Sequence, residues 1–356
     1  MWDTDAILAD AKAKGVSDIM VVAGAPLTFK INGDLIQQGN SRLMPDDTTA
    51  IVEAIYHKAN HRSLETLLKN GDDDFSFSIP GLGRFRVNTL KQRASLACVI
   101  RFVRFELPDP ATLSIPESII KLVDRAAGII LVTGAAGSGK STTLAMMIDY
   151  INRTRKSHII TIEDPVEFIH RHNQSIVTQR EIATDTMSYA AALRASLRQA
   201  PNCILVGEMR DFETINIAMT AAETGHLILS TLHTVGASHT IDRIVDVFPP
   251  EQQQQIRMQL SMVLTAVVSQ QLVPRADGGL VPAFEVMTVN PAVRNMIREA
   301  KMHQLDTVLQ SSADEGMVSM DNSLMRLYRE GIITIDEVRK RALNPDQLER
   351  RIASGR

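Results

Sequence analysis

The chain has 356 residues, of which 44% are hydrophobic and 22% charged, the composition of a globular protein of about two domains. Its formal net charge is −3, from 38 basic and 41 acidic side chains, which argues against a protein that coats nucleic acid or an anionic membrane. Two cysteines, Cys98 and Cys203, exclude a disulfide framework and a four-cysteine zinc site, and they favour the reducing cytosol. The sequence shows no signal-peptide pattern and no run of about 18 apolar residues that predicts a membrane-spanning helix.

The first part of the chain predicts an α+β domain at 1–105. Helical spacing of apolar residues appears at 4–14 and again at 46–70. Strands are predicted at "IMVVAG", "LTFKING", "GRFRVNTL" and "SLACVIRFV". Asn32-Gly33-Asp34 predicts a hairpin turn after the second of these strands.

A linker and a second domain follow. The segment 106–116, "ELPDPATLSIP", carries three prolines and predicts a stiff connector. In 117–356, the apolar runs "GIILVT", "HIITIE", "CILVGE" and "HLILST" alternate with helical segments. This order predicts a mostly parallel sheet with helices on both faces. From about residue 251 the pattern is helical, interrupted by a predicted hairpin at "RADGGLVPAFEVMTV".

The strongest motif is "GAAGSGKS" at 134–141, which fits G-x-x-x-x-G-K-[ST] between a predicted strand and a predicted helix. In such a loop the backbone N–H groups surround phosphates, Lys140 reaches the β and γ oxygens, and the Ser141 hydroxyl binds Mg²⁺. The sequence therefore predicts a site for a nucleoside triphosphate. Its predicted binding residues are Gly134, Gly137, Ser138, Gly139, Lys140, Ser141 and Thr142.

The three apolar strands after this loop end in polar side chains. Glu163 follows one strand, Glu208 the next and His233 the last, and carboxyl ends of parallel strands meet at one edge of a sheet. Glu208 is the first candidate to orient or deprotonate water, and Glu163 is the second. Glu208 stands where a carboxylate usually holds Mg²⁺, so a role as metal ligand stays open. His226, before the last strand, is a further candidate for binding the nucleotide.

Arginines of the first domain are candidates for stabilising the transition state. The strand period of two puts Arg84, Arg86 and Asn88 on one face, and Arg101 comes from the next predicted strand. One interpretation is a solvated basic face. The other is a set of arginine fingers that reach the nucleotide of a neighbouring subunit.

Together these segments resemble the bacterial secretion ATPases, and among them most of all the PilT-type retraction motors of type IV pili. The resemblance covers nearly the whole chain. It rests on the phosphate loop and on "TIEDPVEF", "ILVGEMRD", "AAETGHLILSTLHT", "IDRIVDVFP" and "PAVRNMIRE". The spacing of the last segment also predicts a helix capped by Asn290. Its apolar stripe would consist of Val293, Met296, Ile297 and Ala300.

The resemblance implies an α/β fold, in which a PAS-like α+β domain at 1–105 precedes a RecA-like P-loop NTPase domain at 117–356 with a helical C-terminal part. It implies a homohexameric ring that binds ATP and Mg²⁺ between domains and hydrolyses ATP. The ring would act from the cytoplasm on a pilus platform protein of the inner membrane, without inserting into the membrane, to power pilus retraction and twitching motility. The implied catalytic residues are Glu163, Glu208, His233, Arg84, Arg86 and Arg101, with His226 at the nucleotide.

Other functions stay open. "LRQAPN" and "IVTQRE" lean toward the PilU-type accessory paralogue, which could share a mixed ring. A nucleotide-binding scaffold is disfavoured by the complete set of site residues. Pilus-assembly and type II secretion ATPases usually carry a four-cysteine zinc site, which two cysteines cannot form. A nucleic-acid motor is disfavoured by the acidic net charge.

Overall fold

The computed structural model describes residues 2–31, 33–103, 107–345 and 348–350. Contacts between Cα atoms divide the chain into two units. Unit 1 comprises Met1–Glu106 and Glu167–Ile169, and unit 2 comprises Leu107–Val166 and His170–Arg356. The predicted domain boundary at 105–106 lies outside the described residues. In the described part of the predicted linker, Pro110–Thr112 forms a 3-10 turn.

In its described residues, unit 1 is a six-stranded antiparallel sheet with three helices. The sheet order is β3-β2-β1-β6-β5-β4. Along β5, Phe85 and Val87 are buried in the core, whereas Arg84, Arg86 and Asn88 are only half-buried, which confirms the predicted alternation. The elements are α1 (Thr4–Ala13), β1 (Asp18–Val21), β2 (Pro26–Ile31), β3 (Asp34–Arg42), α2 (Pro45–Lys58), α3 (Glu65–Asn70), β4 (Asp72–Ile79), β5 (Gly83–Gln92) and β6 (Ser95–Val103).

Unit 1 departs from the sequence prediction in three places. The predicted helix at 46–70 is two helices, because Asn60 and His61 adopt positive φ angles of 55° and 57° that end α2. Strand β3 is exposed along almost its whole length, so it has no alternating pattern to detect. Strand β4 begins with three aspartates, which are poor strand formers. The predicted hairpin joins β2 to β3 by pairing Ile31 with Asp34, while Asn32 itself lies outside the described residues.

Unit 2 is built on a seven-stranded sheet with the order β13-β12-β7-β11-β10-β8-β9. All neighbouring strands are parallel except the pair β12–β13. The elements are α4 (Glu117–Ile120), β7 (Gly128–Thr133), α5 (Lys140–Thr154), β8 (His158–Glu163), β9 (Ile176–Glu181), α6 (Tyr189–Ser196), β10 (Cys203–Val206), α7 (Phe212–Glu223), β11 (Leu227–Leu232), α8 (Ala237–Asp246), α9 (Pro250–Val263), β12 (Leu264–Pro274), β13 (Leu280–Thr288), α10 (Pro291–Arg298), α11 (Leu305–Ser311), α12 (Met320–Arg329) and α13 (Ile335–Arg341).

Both faces of this sheet are covered by apolar side chains. On β7, Leu131 packs in the cluster that includes α6, α7 and α8, whereas Ile130 and Val132 pack against α5. The predicted parallel sheet with helices on both faces is therefore confirmed. Strand β12 was not predicted, since the sequence indicated helix there. Its first seven residues are almost all buried, and a buried apolar run has no period that separates strand from helix.

Among the described residues, no helix combines the length and the apolar character needed to cross a bilayer.

Candidate active site

The register of the parallel strands brings four strand ends to one edge of the sheet. Thr133 at the end of β7 pairs with Leu232 at the end of β11. On the next strand, Val206 of β10 pairs with Ser230 of β11 on one side and with Ile162 of β8 on the other. The phosphate loop, His233, Glu208 and Glu163 follow or end these strands. Neighbouring strands lie about 4.8 Å apart, so the four ends can face one nucleotide.

The phosphate loop is backed by strand β12. A Cβ atom on Gly134 would lie 2.2 Å from the backbone oxygen of Gln270, and the residue has a φ of 144°. A Cβ on Gly139, where φ is 88°, would lie 2.8 Å from Nε2 of Gln270. Both positions therefore require glycine. The Thr143 hydroxyl of α5 donates to Oε1 of Gln270 at 2.7 Å and ties the helix to the same strand.

Lys140 directs its ammonium group into the loop. The residue is only 8% exposed, and Nζ donates to the carbonyl oxygens of Gly134 at 2.8 Å and Ala135 at 2.9 Å. Ser141 and Thr142, both half-buried, follow it in the first turn of α5. The partial positive charge of this helix N-terminus adds to that of the ammonium. The loop therefore concentrates positive charge at a concave turn, which suits phosphate.

Polar atoms of the loop itself also fit a phosphate. Among the described residues, the hydroxyls of Ser138 and of Thr133, just before the loop, are buried without a hydrogen-bond partner. Gly137 has a φ of 76°, as a tightly curved loop needs. Buried hydroxyls usually find a partner, so orphaned ones at this place suit a polyanion that accepts hydrogen bonds.

Glu208 lies between two cationic or basic side chains. Its Oε2 is 2.6 Å from NH2 of Arg210 and 3.3 Å from Nε2 of His233. Burial alone would raise the pKa of Glu208, but the hydrogen bond from Arg210 and the charges of Arg210 and His233 outweigh burial and lower it. The carboxylate is therefore held ionised, which makes it a weak proton acceptor and suits a role in orienting groups or facing a metal.

Glu163 accepts hydrogen bonds from two uncharged donors. Its Oε1 accepts hydrogen bonds from the Thr161 hydroxyl at 2.6 Å and from Nε2 of Gln179 at 3.3 Å. The residue is half-buried at the last position of β8. The two candidate glutamates thus differ in their partners, which is how one site gives two carboxylates different roles.

Sequence reasoning missed Tyr189. The Tyr189 hydroxyl lies 2.9 Å from where a Cβ on Gly207 would stand, next to Glu208. Burial raises the pKa of the phenol, and the charges of Asp164 and Glu208 raise it further. The hydroxyl therefore stays protonated near the carboxylates of Asp164 and Glu208. Nothing in its own segment signals this, because Tyr189 begins helix α6 and reaches the site only through the fold.

The structure does not bring His226 to the phosphate loop. His226 precedes β11, and its carbonyl oxygen accepts from the N–H of Gly128 at the start of β7. Strand β11, six residues long, separates it from His233 by roughly 20 Å. Its Nδ1 lies 2.9 Å from the carbonyl oxygen of Ala221. Within one chain, His226 occupies the opposite edge of the sheet.

The three arginines predicted as catalytic, Arg84, Arg86 and Arg101, share one face of the sheet of unit 1. Arg86 of β5 pairs directly with Arg101 of β6, and Arg84 lies two residues along β5. Nε of Arg101 donates to Oδ1 of Asp18 at 2.7 Å, and the side chain of Asp18 is only 6% exposed. Nε of Arg86 lies 3.9 Å from Oδ1 of Asp74. Arg86, Arg101 and their two aspartate partners line a groove of about 310 Å³, in which Arg101 is already paired with a buried carboxylate.

Helix α10 carries the "PAVRNMIRE" segment. The side chain of Asn290 caps it by accepting from the N–H of Val293 at 3.0 Å, and Val293, Met296 and Ile297 are buried as predicted. Ala300 was predicted on the same stripe but is exposed, because the helix ends at Arg298 and Ala300 has a φ of 57°.

The residues at the sheet edge contain no complete metal site of their own. Within the described ranges, no group of three or more histidine, cysteine, aspartate or glutamate side chains could hold a metal ion. Mg²⁺ in nucleotide sites is held by one or two protein oxygens together with phosphate oxygens. Ser141 and Glu208 supply oxygen donors of that kind, so the donor set fits Mg²⁺ that arrives with a nucleotide.

A parallel sheet with a phosphate loop on an inner strand, and with carboxylates and an imidazole at neighbouring strand ends, defines a P-loop nucleoside triphosphatase. Residues 2–279 match the family described as "Type II/IV secretion system protein", and the chain belongs to that family.

Similar proteins are known in sequence and in structure. The chain is 42% identical over 344 residues to the type IV pilus retraction ATPase PilT of Pseudomonas aeruginosa, covering 97% of this chain and 99% of PilT. It is 39% identical to the type IV pilus ATPase PilU of the same organism, covering 96% and 89%. A crystal structure of the pilus retraction motor PilT with bound ADP matches with a TM-score of 0.90 and 46% identity, covering 97% and 98%. The predicted family, fold class and ATPase activity are confirmed.

Proposed function

We propose that this chain is the ATP-hydrolysing motor of type IV pilus retraction and works as a homohexameric ring. The observation that carries this proposal is full-length similarity to a retraction ATPase combined with the phosphate loop, Glu163, Glu208 and His233 at one sheet edge. The predicted partners are a pilus platform protein and, through it, the inner membrane. A PilU-type paralogue is a further predicted partner.

In this proposal the loop from Gly134 to Ser141 holds the triphosphate through backbone N–H groups. Lys140 moves from the loop carbonyls to the β and γ oxygens and offsets their charge. Mg²⁺, held by Ser141 and faced by Glu208, would neutralise charge on the bound phosphates. Glu208 suits this role because Arg210 and His233 keep it ionised.

Glu163 then acts on the attacking water. The lowered pKa of Glu208 makes that carboxylate a weak proton acceptor, so this proposal gives the role of base to Glu163. Water attacks the γ-phosphorus, the bond from that phosphorus to the bridging oxygen of ADP breaks, and the water proton passes to the carboxylate. Arg86 and Arg84, from the first domain of a neighbouring subunit, stabilise the charge that develops on the phosphoryl oxygens.

The test combines turnover with retraction. The purified chain should hydrolyse ATP, and Lys140→Ala should abolish nucleotide binding, while Glu163→Ala should bind ADP and hydrolyse on the order of 100-fold more slowly. Expression of the wild-type chain, but not of Lys140→Ala, should restore pilus retraction in cells of its source organism that lack the gene. Turnover without restored retraction would leave an ATPase with another mechanical target.

A second candidate is a PilU-type accessory ATPase. Its support is the similar identity to PilU, 39% against 42% for PilT. The two candidates differ in autonomy. A main motor restores retraction by itself, whereas an accessory ATPase does so only in cells that still contain the other ATPase.

A further inference from the structure

Two uncharged donors converge on one oxygen of Glu163. The Thr161 hydroxyl lies 2.6 Å from Oε1, and Nε2 of Gln179 lies 3.3 Å from the same atom. Thr161 and Glu163 are two residues apart on β8, so the period of the strand puts both on one face. Gln179 lies directly opposite Thr161 in the β8–β9 register and reaches Glu163 along the diagonal.

The orientation of the Gln179 amide is itself fixed. Its Oε1 accepts a hydrogen bond of 2.8 Å from the backbone N–H of His170. A backbone N–H can only donate, so the amide atom that it meets must be the oxygen. The amide nitrogen therefore faces Glu163. Because His170 is only 8% exposed, this bond is partly shielded from water.

The hydroxyl of Thr161 is used differently from other buried hydroxyls of this sheet. Ser230 and Thr231 on β11 donate to the backbone oxygens of Val206 and Gly207, each at 2.6 Å. Their hydroxyl groups are therefore hydrogen-bonded within the sheet. Thr161 is fully buried as well, but its hydroxyl donates to the carboxylate of Glu163. This carboxylate lies at the active edge, the edge of the sheet that carries the phosphate loop, Glu163, Glu208 and His233. A hydrogen bond to an ionised acceptor is stronger than one to a neutral carbonyl.

We propose that Thr161 and Gln179 are positioning residues, which hold Glu163 in the orientation that binds the attacking water. This inference rests on the proposed function, in which Glu163 acts on that water. Two donors on one oxygen restrict rotation about the last torsion of the glutamate. The second oxygen then keeps one direction relative to the phosphate loop. Reaction rates are sensitive to such placement, since a shift of about 1 Å costs on the order of 100-fold.

The test measures steady-state ATP hydrolysis of the full chain and its affinity for a fluorescent ADP. Thr161→Val keeps the shape of the side chain and removes the donor, and Thr161→Ser keeps the donor. Thr178→Val is the matched control, because the Thr178 hydroxyl contacts Nε2 of His158 at 3.0 Å and not Glu163. We expect Thr161→Val to lower kcat about tenfold, with KM and ADP affinity within about twofold of wild type. Thr161→Ser and Thr178→Val should keep most of the wild-type kcat.

A double-mutant cycle separates positioning from general damage. In a Glu163→Ala background, Thr161→Val should cause no further loss of rate, because the group that it positions is gone. Gln179→Leu gives a second, independent variant, with an expected loss of a few-fold because its bond is longer. Wild-type kcat in both Thr161→Val and Gln179→Leu, or equal losses in both backgrounds, would refute the positioning role alone. A wild-type chain without ATP turnover would refute the proposed function as well.

Discussion

Nε2 of His233 lies 3.3 Å from Oε2 of Glu208, although the two residues follow different strands, β11 and β10. The parallel register makes this contact possible, because Ser230 and Val206 are paired neighbours a few residues earlier. Together with Arg210, His233 places a basic group on each side of this carboxylate.

The lowered pKa of Glu208 predicts a pH-dependent stability. A carboxyl group whose pKa is lower in the folded than in the unfolded chain stabilises the fold above its unfolded pKa of about 4.3, and this stabilisation is lost as pH falls through the folded pKa. Glu208→Gln removes this contribution. The melting temperature of wild type should therefore exceed that of Glu208→Gln at pH 6, and the difference should shrink below about pH 4. Melting curves from pH 3 to pH 7 measure this, and a difference that grows on acidification would contradict it.

Gly134→Ala should abolish nucleotide binding. The added Cβ would stand 2.2 Å from the backbone oxygen of Gln270, so the loop or β12 must shift. We expect a loss of stability of about 2–4 kcal/mol and loss of measurable ADP affinity. Gly225→Ala is the matched control, since φ there is 100° but nothing lies within 4 Å of the new Cβ. It should cost only about 1 kcal/mol and leave ADP affinity unchanged. Urea unfolding and fluorescent-ADP titration give both quantities.

Tyr189→Phe tests the hydroxyl beside Gly207. Removing it leaves the ring packing intact but takes a protonated hydroxyl away from the carboxylates of Asp164 and Glu208. We expect kcat to fall about three- to tenfold while ADP affinity stays the same. Tyr150→Phe serves as control, because the Tyr150 hydroxyl contacts Asp124 at 3.3 Å on another side of unit 2. Equal kcat values in Tyr189→Phe and wild type would show that the hydroxyl takes no part in turnover.

Arg101→Ala and Arg86→Ala should have different effects on stability. Arg101 neutralises Asp18, whose side chain is 6% exposed, whereas Arg86 lies 3.9 Å from the exposed Asp74. Removing Arg101 leaves a buried carboxylate unpaired and should cost about 1–3 kcal/mol, while Arg86→Ala should cost less than about 0.5 kcal/mol. Unfolding by urea measures both. A large loss of ATP turnover in Arg86→Ala, without loss of stability, would support its role as an arginine finger.

His226→Ala should leave ADP affinity within about twofold of wild type, because strand β11 separates His226 from the active edge by roughly 20 Å. His233→Ala, by contrast, should lower turnover, since it removes a partner of Glu208. The comparison of the two histidines uses titration with fluorescent ADP and ATP turnover. A tenfold loss of ADP affinity in His226→Ala would mean that a neighbouring subunit brings this histidine to the nucleotide.

Much of the active edge could be predicted because its parts are local in sequence. The phosphate loop is one continuous motif, and Glu163, Glu208 and His233 each follow an apolar run that ends at the same edge of a parallel sheet. Their meeting then follows from strand direction alone. His226 adjoins the same strand as His233, but at its other end, so strand direction places it away from the phosphate loop.

The missed residues reach the site through long-range contacts. Gln270 is 127 residues from Thr143, the residue to which it bonds, and it lies on a strand that has no strand-like pattern. Tyr189 and Gln179 depend on how β9 and α6 follow β8, which spacing does not reveal. Side-chain partners of this kind are set by tertiary packing rather than by local propensity.

The contact between Gln270 and the phosphate loop has a consequence for how the protein becomes competent to bind nucleotide. The glycine motif is synthesised well before Gln270, the residue of β12 against which the motif packs. Contacts between residues so far apart in sequence form slowly. The phosphate loop therefore reaches its final geometry only when β12 has joined the sheet. ADP affinity should thus report the end of folding, and a fragment that stops at Val263 should keep the entire motif but bind no nucleotide.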